Sequence, residues 1–192
     1  IKSRIFLVLL LLGGVVSQDK WHYSADELEQ LTVDGESARK FKRNVRIYRG
    51  NTTLVTDNAT QHMSRNMLHL KGNTIMIDGT DTLTCDSMFY WTDLDSGYAM
   101  GNVSFSQPEK NRRLTTETFN YWKTDGYRGS SFFTKGFTRI IDSDRLITAN
   151  EIRYDDDQQV MKLYVNVSVE DPQRGIFGNE MEIQYADSLM EK

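Results

Sequence analysis

Six polar residues recur at nearly even steps along the chain: Asp26, Asp57, Asp86, Glu117, Asn150 and Asn179. Carboxylates and carboxamides in such a series could act as general acids and bases, ligate a hard cation, or bond backbone amides at a turn. Their setting selects the last role. Each follows a small residue or threonine (Ala25, Thr56, Cys85, Thr116, Ala149, Gly178) and sits inside an alternation of apolar positions. The steps between them are 31, 29, 31, 33 and 29 residues, so each belongs to one copy of a repeat. They are expected to be structural corners. Other chemistry is thin. His22, His62 and His69 are the only histidines, and no third ligand stands near the last two, so no metal site is expected. A single cysteine, Cys85, excludes an internal disulfide and a cysteine-built zinc site. No nucleophile-elbow or phosphate-loop pattern is present. Neither a catalytic residue nor a cofactor is expected.

The elements that carry these corners read as strands. A second marker precedes the polar position: Asn44-Val45, Asn73-Thr74, Asn102-Val103 and Asn166-Val167, with Phe137 in the remaining slot. Marker and polar residue stand 13, 13, 15, 13 and 13 residues apart. The longer copy contains the turn-like Gln107-Pro108-Glu109-Lys110-Asn111. Val, Ile, Thr and aromatic residues are plentiful, which suits a half-buried pleated surface. Turn signals such as Lys71-Gly72-Asn73, Asp95-Ser96-Gly97, Asp125-Gly126 and Asp155-Asp156-Asp157 separate the runs. No comparable helical period appears.

Parity then locates an interior. Leu83 and Cys85 share one strand face, but Met88 and Tyr90 have the opposite parity. Leu114 and Thr116 give way to Phe119 and Tyr121 in the same manner, and Ile147 and Ala149 to Ile152 and Tyr154. One buried face for all of them requires a one-residue phase change at each small–polar pair, as a β-bulge supplies. The residues expected to face inward are Val45, Ile47, Ile75, Ile77, Val103, Phe105, Leu114, Phe119, Ile147, Ile152, Val167 and Ile183. The expected fold is all-β, an elongated two-sheet jelly roll of about six thirty-residue repeats of short antiparallel strands.

Composition agrees with a packed domain: of 192 residues, 39% are hydrophobic and 26% charged. The net charge of −4 argues against nucleic acid as a partner. Residues 1–17 read as a secretory signal peptide. Lys2 and Arg4 precede the apolar run Ile5–Leu12, and small residues lead to a cleavage point before Gln18. Residues 18–192 are then one domain.

The stretches Gly101-Asn102-Val103-Ser104-Phe105 and Ile147-Thr148-Ala149-Asn150-Glu151-Ile152-Arg153-Tyr154 resemble the OstA-like family of lipopolysaccharide transport proteins, and the repeat carries the resemblance from Trp21 to Tyr185. Thr56, Cys85, Thr116 and Gly178 stand where that family favours alanine. The resemblance implies a slightly twisted jelly roll open along one side. It also implies a periplasmic protein that carries or bridges lipopolysaccharide toward the outer membrane, with the lipid A acyl chains between the sheets. The inward-facing residues would then be the lipid contacts. Implied partners are other OstA-like transport components at the inner and outer membranes, and further copies of the chain stacked end to end. Two other readings remain at this point. One is a structural or sugar-binding β-solenoid using Trp91, Trp122, Tyr121 and Tyr127. The other is a β-helical polysaccharide enzyme, disfavoured because no carboxylate stands outside the repeat.

Overall fold

The computed structural model describes residues 20–33, 35–123 and 130–185. The leader at 1–17, Tyr127, the Asp125-Gly126 turn and the chain end at 186–192 lie outside the described residues. The remainder is almost entirely strand. The elements are β1 (His22–Ser24), β2 (Glu27–Val33), β3 (Glu36–Arg49), β4 (Thr52–His62), β5 (Met67–Asp78) and β6 (Asp81–Trp91). They continue as β7 (Ser96–Gln107), β8 (Arg112–Lys123), β9 (Ser130–Asp142), β10 (Arg145–Asp155), β11 (Val160–Glu170) and β12 (Gly175–Gln184). All pair antiparallel in one sheet, ordered β1-β3-β4 and onward to β12, with β2 also on β3. At about 4.8 Å per strand the stack runs roughly 50 Å, which makes the molecule elongated.

A line of bulges folds this single sheet into two layers. The ladder register slips near the middle of each long strand, for example between Lys42 and Val45, Lys71 and Thr74, Met100 and Val103, and Tyr164 and Val167. At these points the odd-numbered strands place two successive residues in left-handed backbone: Arg43-Asn44, Gly72-Asn73, Gly101-Asn102 and Val165-Asn166. The opposing strand supplies the corner acid. The Asn44, Asn73 and Asn102 amides donate to Asp26, Asp57 and Asp86 at 2.9, 2.9 and 2.8 Å. A Cβ on Gly72 or Gly101 would lie 2.5 Å from those carboxylates, so glycine is required there on contact as well as on backbone grounds. Inside the bend the small residues close the angle. The Thr56 hydroxyl lies 3.0 and 2.9 Å from the Lys71 and Gly72 carbonyls and 3.0 Å from Thr74.

The two sheets expected from sequence are therefore halves of one. The first layer holds the half-strands next to the hairpins at 49–52, 78–81, 107–112, 142–145 and 170–175. The second holds those next to 62–67, 91–96 and 155–160, together with the β8 and β9 ends that pair at Lys123 and Ser130. The core is the space between them.

Candidate functional site

Nine of the twelve residues expected to face inward are buried between the layers: Val45, Ile47, Val103, Phe105, Leu114, Phe119, Ile147, Ile152 and Val167. Ile183 packs partly buried against the same cluster. Ile75 and Ile77 do not belong there. Ile77 is 39% exposed and Ile75 half-buried on the outer face, while Thr74 and Met76 point inward. The bulge sets the phase: the residues one and three after the left-handed asparagine turn in, as in Val45/Ile47 and Val103/Phe105. In this copy those places hold Thr74 and Met76. The Thr56 hydroxyl satisfies Thr74, which lets a polar residue sit at the apolar position. The corner residues Asp26, Asp57, Asp86, Glu117 and Asn179 are exposed, and Asn150 is half-buried.

Packing fills the interior. Leu54, Leu68, Leu70, Leu83, Met88, Phe132, Met161 and Leu163 join the expected residues, and Phe105, Phe119, Phe132 and Tyr154 form a chain of ring contacts with centroids 4.9–5.3 Å apart. Burial pushes the Cys85 thiol up to about 12, so it stays protonated and acts as a small packing group.

Opposite the bend, the two layers meet at a mouth closed by polar contacts. Four rungs cross it, and each joins a first-layer hairpin to the second-layer region about three strands further on. At the first, Arg49 pairs with Asp95 and donates to the Thr92 carbonyl at 3.1 Å, while Tyr90 donates to Asp95 at 2.9 Å. At the second, Asp78 accepts from Tyr121 at 2.6 Å and Lys123 at 2.7 Å. At the third, Lys110 bonds the Tyr154 hydroxyl at 3.0 Å and pairs with Asp156. At the fourth, Asp142 accepts from Tyr185 at 2.6 Å and faces Arg145 at 3.1 Å and Arg112 at 3.6 Å. The rungs are partly buried: Tyr90, Tyr121, Tyr154, Arg112, Asp142 and Asp156 lie inside, while Arg49, Lys110, Lys123 and Arg145 reach the surface. Burial and the facing carboxylates push the Tyr90 and Tyr121 phenols well above the usual tyrosine range. Burial does the same at Tyr185, against the opposing pull of Arg112.

Parity placed Tyr90, Tyr121 and Tyr154 on the buried face, but sequence reasoning missed their charged partners. Arg112 reads as half of an exposed Arg112-Arg113 run and Asp156 as part of a hairpin-tip acidic run, yet both are buried. One signal was available: Tyr90, Tyr121 and Tyr154 each stand four residues after the corner position. Tyr121 therefore leaves the expected aromatic strip for the interior, whereas Trp122 is exposed on the outer face.

The stagger of the rungs leaves the last strands uncovered. First-layer halves of β11 and β12 face the second-layer half of β12 across an open gap. A cleft of about 420 Å³ opens there, with Val169, Ile176, Met181 and Ile183 on its walls and Arg145 and Arg174 at its rim.

A folded antiparallel sheet around a largely apolar interior, sealed on one side by a non-covalent polar seam, defines an all-β, jelly-roll-like protein. A family model described as OstA-like protein matches residues 21–179, and the chain belongs to that family. The family is associated with lipopolysaccharide and lipid transport, and its members are typically periplasmic and generally not enzymes. A search of curated proteins returned no match.

Proposed function

We propose that this protein is an exported, periplasmic lipid carrier that takes lipopolysaccharide between its two layers and passes it toward the outer membrane. One observation supports this reading above the others. The interior is largely apolar, with its few threonine hydroxyls bonded at the bend, yet its mouth is held by separable ion pairs and tyrosine hydrogen bonds instead of by a second row of covalent turns. Separating the rungs would let acyl chains replace side-chain contacts between the layers. Each buried methylene of the cargo contributes about 0.8 kcal/mol, so a multi-chain lipid offsets the loss of packing. Among the described residues the sheet has unequal edges: β1 and β2 at one end, and β12, with Phe177 71% exposed, at the other. Such edges suit strand addition by another copy or by a partner built on the same repeat. Unlike ends make that contact heterologous, so it propagates into filaments.

Lipid extraction and mass spectrometry of protein purified from a lipopolysaccharide-producing host tests the reading. Co-purified lipopolysaccharide or lipid A is the expected result. A lipid-free protein that binds polysaccharide would overturn it in favour of a sugar-binding solenoid. Sedimentation at rising concentration should show a ladder of oligomers, and a strictly monomeric species would remove self-stacking.

A further inference from the structure

The fourth rung is unbalanced in charge. Its single carboxylate, Asp142, faces two guanidinium groups, Arg112 and Arg145, as well as the Tyr185 hydroxyl. Arg112 is buried, its side chain only 3% exposed, and stacks between the rings of Tyr154 and Tyr185 at 4.6 and 4.7 Å. Its contact to Asp142 is too long for a good hydrogen bond, and its Nε and Nη1 have no partner among the described residues. Buried guanidinium donors left unbonded are costly, and the shortage here is of anionic acceptors. The other three rungs each supply at least one carboxylate per cation.

This rung borders the open cleft at the β11–β12 end, and Arg145 belongs to both. Arg145 is about one-third exposed, while Asp142 behind it is almost fully buried. An anion arriving through the cleft meets two guanidinium groups: Arg174, which has Asp171 to itself, and Arg145, whose carboxylate is shared with Arg112. The cleft's own acids are already engaged: Asp171 accepts from Arg174 at 3.3 Å, and Glu182 pairs with Lys162 at 3.7 Å. The walls behind are apolar. Apolar walls beneath a guanidinium with half a partner match a chain that ends in an anionic head.

We propose that the β11–β12 end is a binding site for a phosphorylated amphiphile, with one acyl chain against Val169, Ile176, Met181 and Ile183 and the phosphate on Arg145. The phosphate replaces Asp142 on Arg145 as a charge-assisted, bidentate acceptor. Asp142 then turns wholly to Arg112, whose donors lack partners, and the rung closes more tightly with cargo than without it. This assignment rests on the lipid-carrier reading and adds to it the head-group chemistry and the residue that reads it.

Calorimetric titration with dodecyl phosphate, dodecanol and inorganic phosphate separates the parts of the site. Dodecyl phosphate is expected to bind on the order of tenfold or more tighter than dodecanol, and inorganic phosphate alone to bind weakly or not at all. Arg145→Gln should collapse the ratio toward one, and Arg145→Lys should restore part of it. Ile176→Ser should weaken both amphiphiles alike. A ratio of one in the wild type, or a ratio that survives Arg145→Gln, overturns the proposal. Inorganic phosphate binding as tightly as dodecyl phosphate would also overturn it, by showing a free-anion site. Photo-crosslinking of lipopolysaccharide at Phe105 is read in parallel. Capture there with no discrimination at Arg145 removes this inference alone, whereas no capture and no alkyl binding removes the lipid-carrier reading as well.

Discussion

The bend and the mouth both place polar side chains in register along the sheet, but they work by different physics. At the bend, asparagine meets aspartate on the neighbouring strand, 16 or 18 residues away, in exposed pairs. At the mouth, partners are 43 to 46 residues apart and partly buried. Exposed neighbouring pairs contribute little energy but steer the backbone through a left-handed step that the ladder alone would not take. Buried distant pairs carry a desolvation cost that only good geometry offsets, so losing one partner is felt strongly. The bend is built to be permanent. The mouth is built of contacts that can be exchanged for others.

Alkali should separate the two regions most forcefully. Tyr90, Tyr121 and Tyr185 have phenol pKa values raised by folding. A raised pKa favours the protonated form in the folded state. The stability it contributes is therefore complete below the unfolded value near 10 and is lost as pH rises above it. Tyrosinate absorbance for these groups should appear cooperatively with loss of near-ultraviolet circular dichroism above pH 10. Smooth titration without loss of tertiary signal would contradict the buried rungs.

Single substitutions grade the comparison further. Asp142→Ala strands Arg112 without a counter-charge and should cost about 3–5 kcal/mol in denaturant unfolding. A loss under 1 kcal/mol would mean that rung is solvated. Cys85→Phe overpacks the inside of the bend and should cost roughly 1–3 kcal/mol, whereas Ser87→Phe, on the outer face, should be mild. Equal melts for those two would refute the phase change at the corner. Tyr121→Phe leaves Asp78 with Lys123 and should cost about 1 kcal/mol. Smallest of all, Asp57→Ala at the exposed bend should cost about 0.5 kcal/mol, since Asn73 can turn to water. A cost above that of Tyr121→Phe would reverse the ranking of bend and mouth.

The same contrast explains what sequence could and could not reveal. The bend is local, so its marker and corner residues recur within 13 to 15 residues, and twelve antiparallel strands with a mid-strand slip follow from that recurrence. The phase error at Ile75 and Ile77 arose from following apolarity, when the left-handed Asn73 sets which side turns in. Thr74 looked wrong for a core because its hydroxyl partner, Thr56, lies on another strand. The mouth left almost no trace. Its four rungs use three different charge arrangements across more than forty residues each, and only the tyrosines after the corners repeat. That one sheet folds on itself, with a stagger of about three strands, depends on twist accumulated over the whole stack, which no single repeat encodes.

Photo-crosslinking with aromatic replacements tests the central claim most directly, because it asks which face of the sheet meets lipid. A benzophenone side chain at Phe105 or Phe119, both buried between the layers, should capture lipopolysaccharide in cells that make it. The same group at Phe89 or Phe133, on the outer face, should capture none. Equal capture at all four positions, or capture confined to Phe89 and Phe133, would contradict a carrier that holds its cargo between the layers.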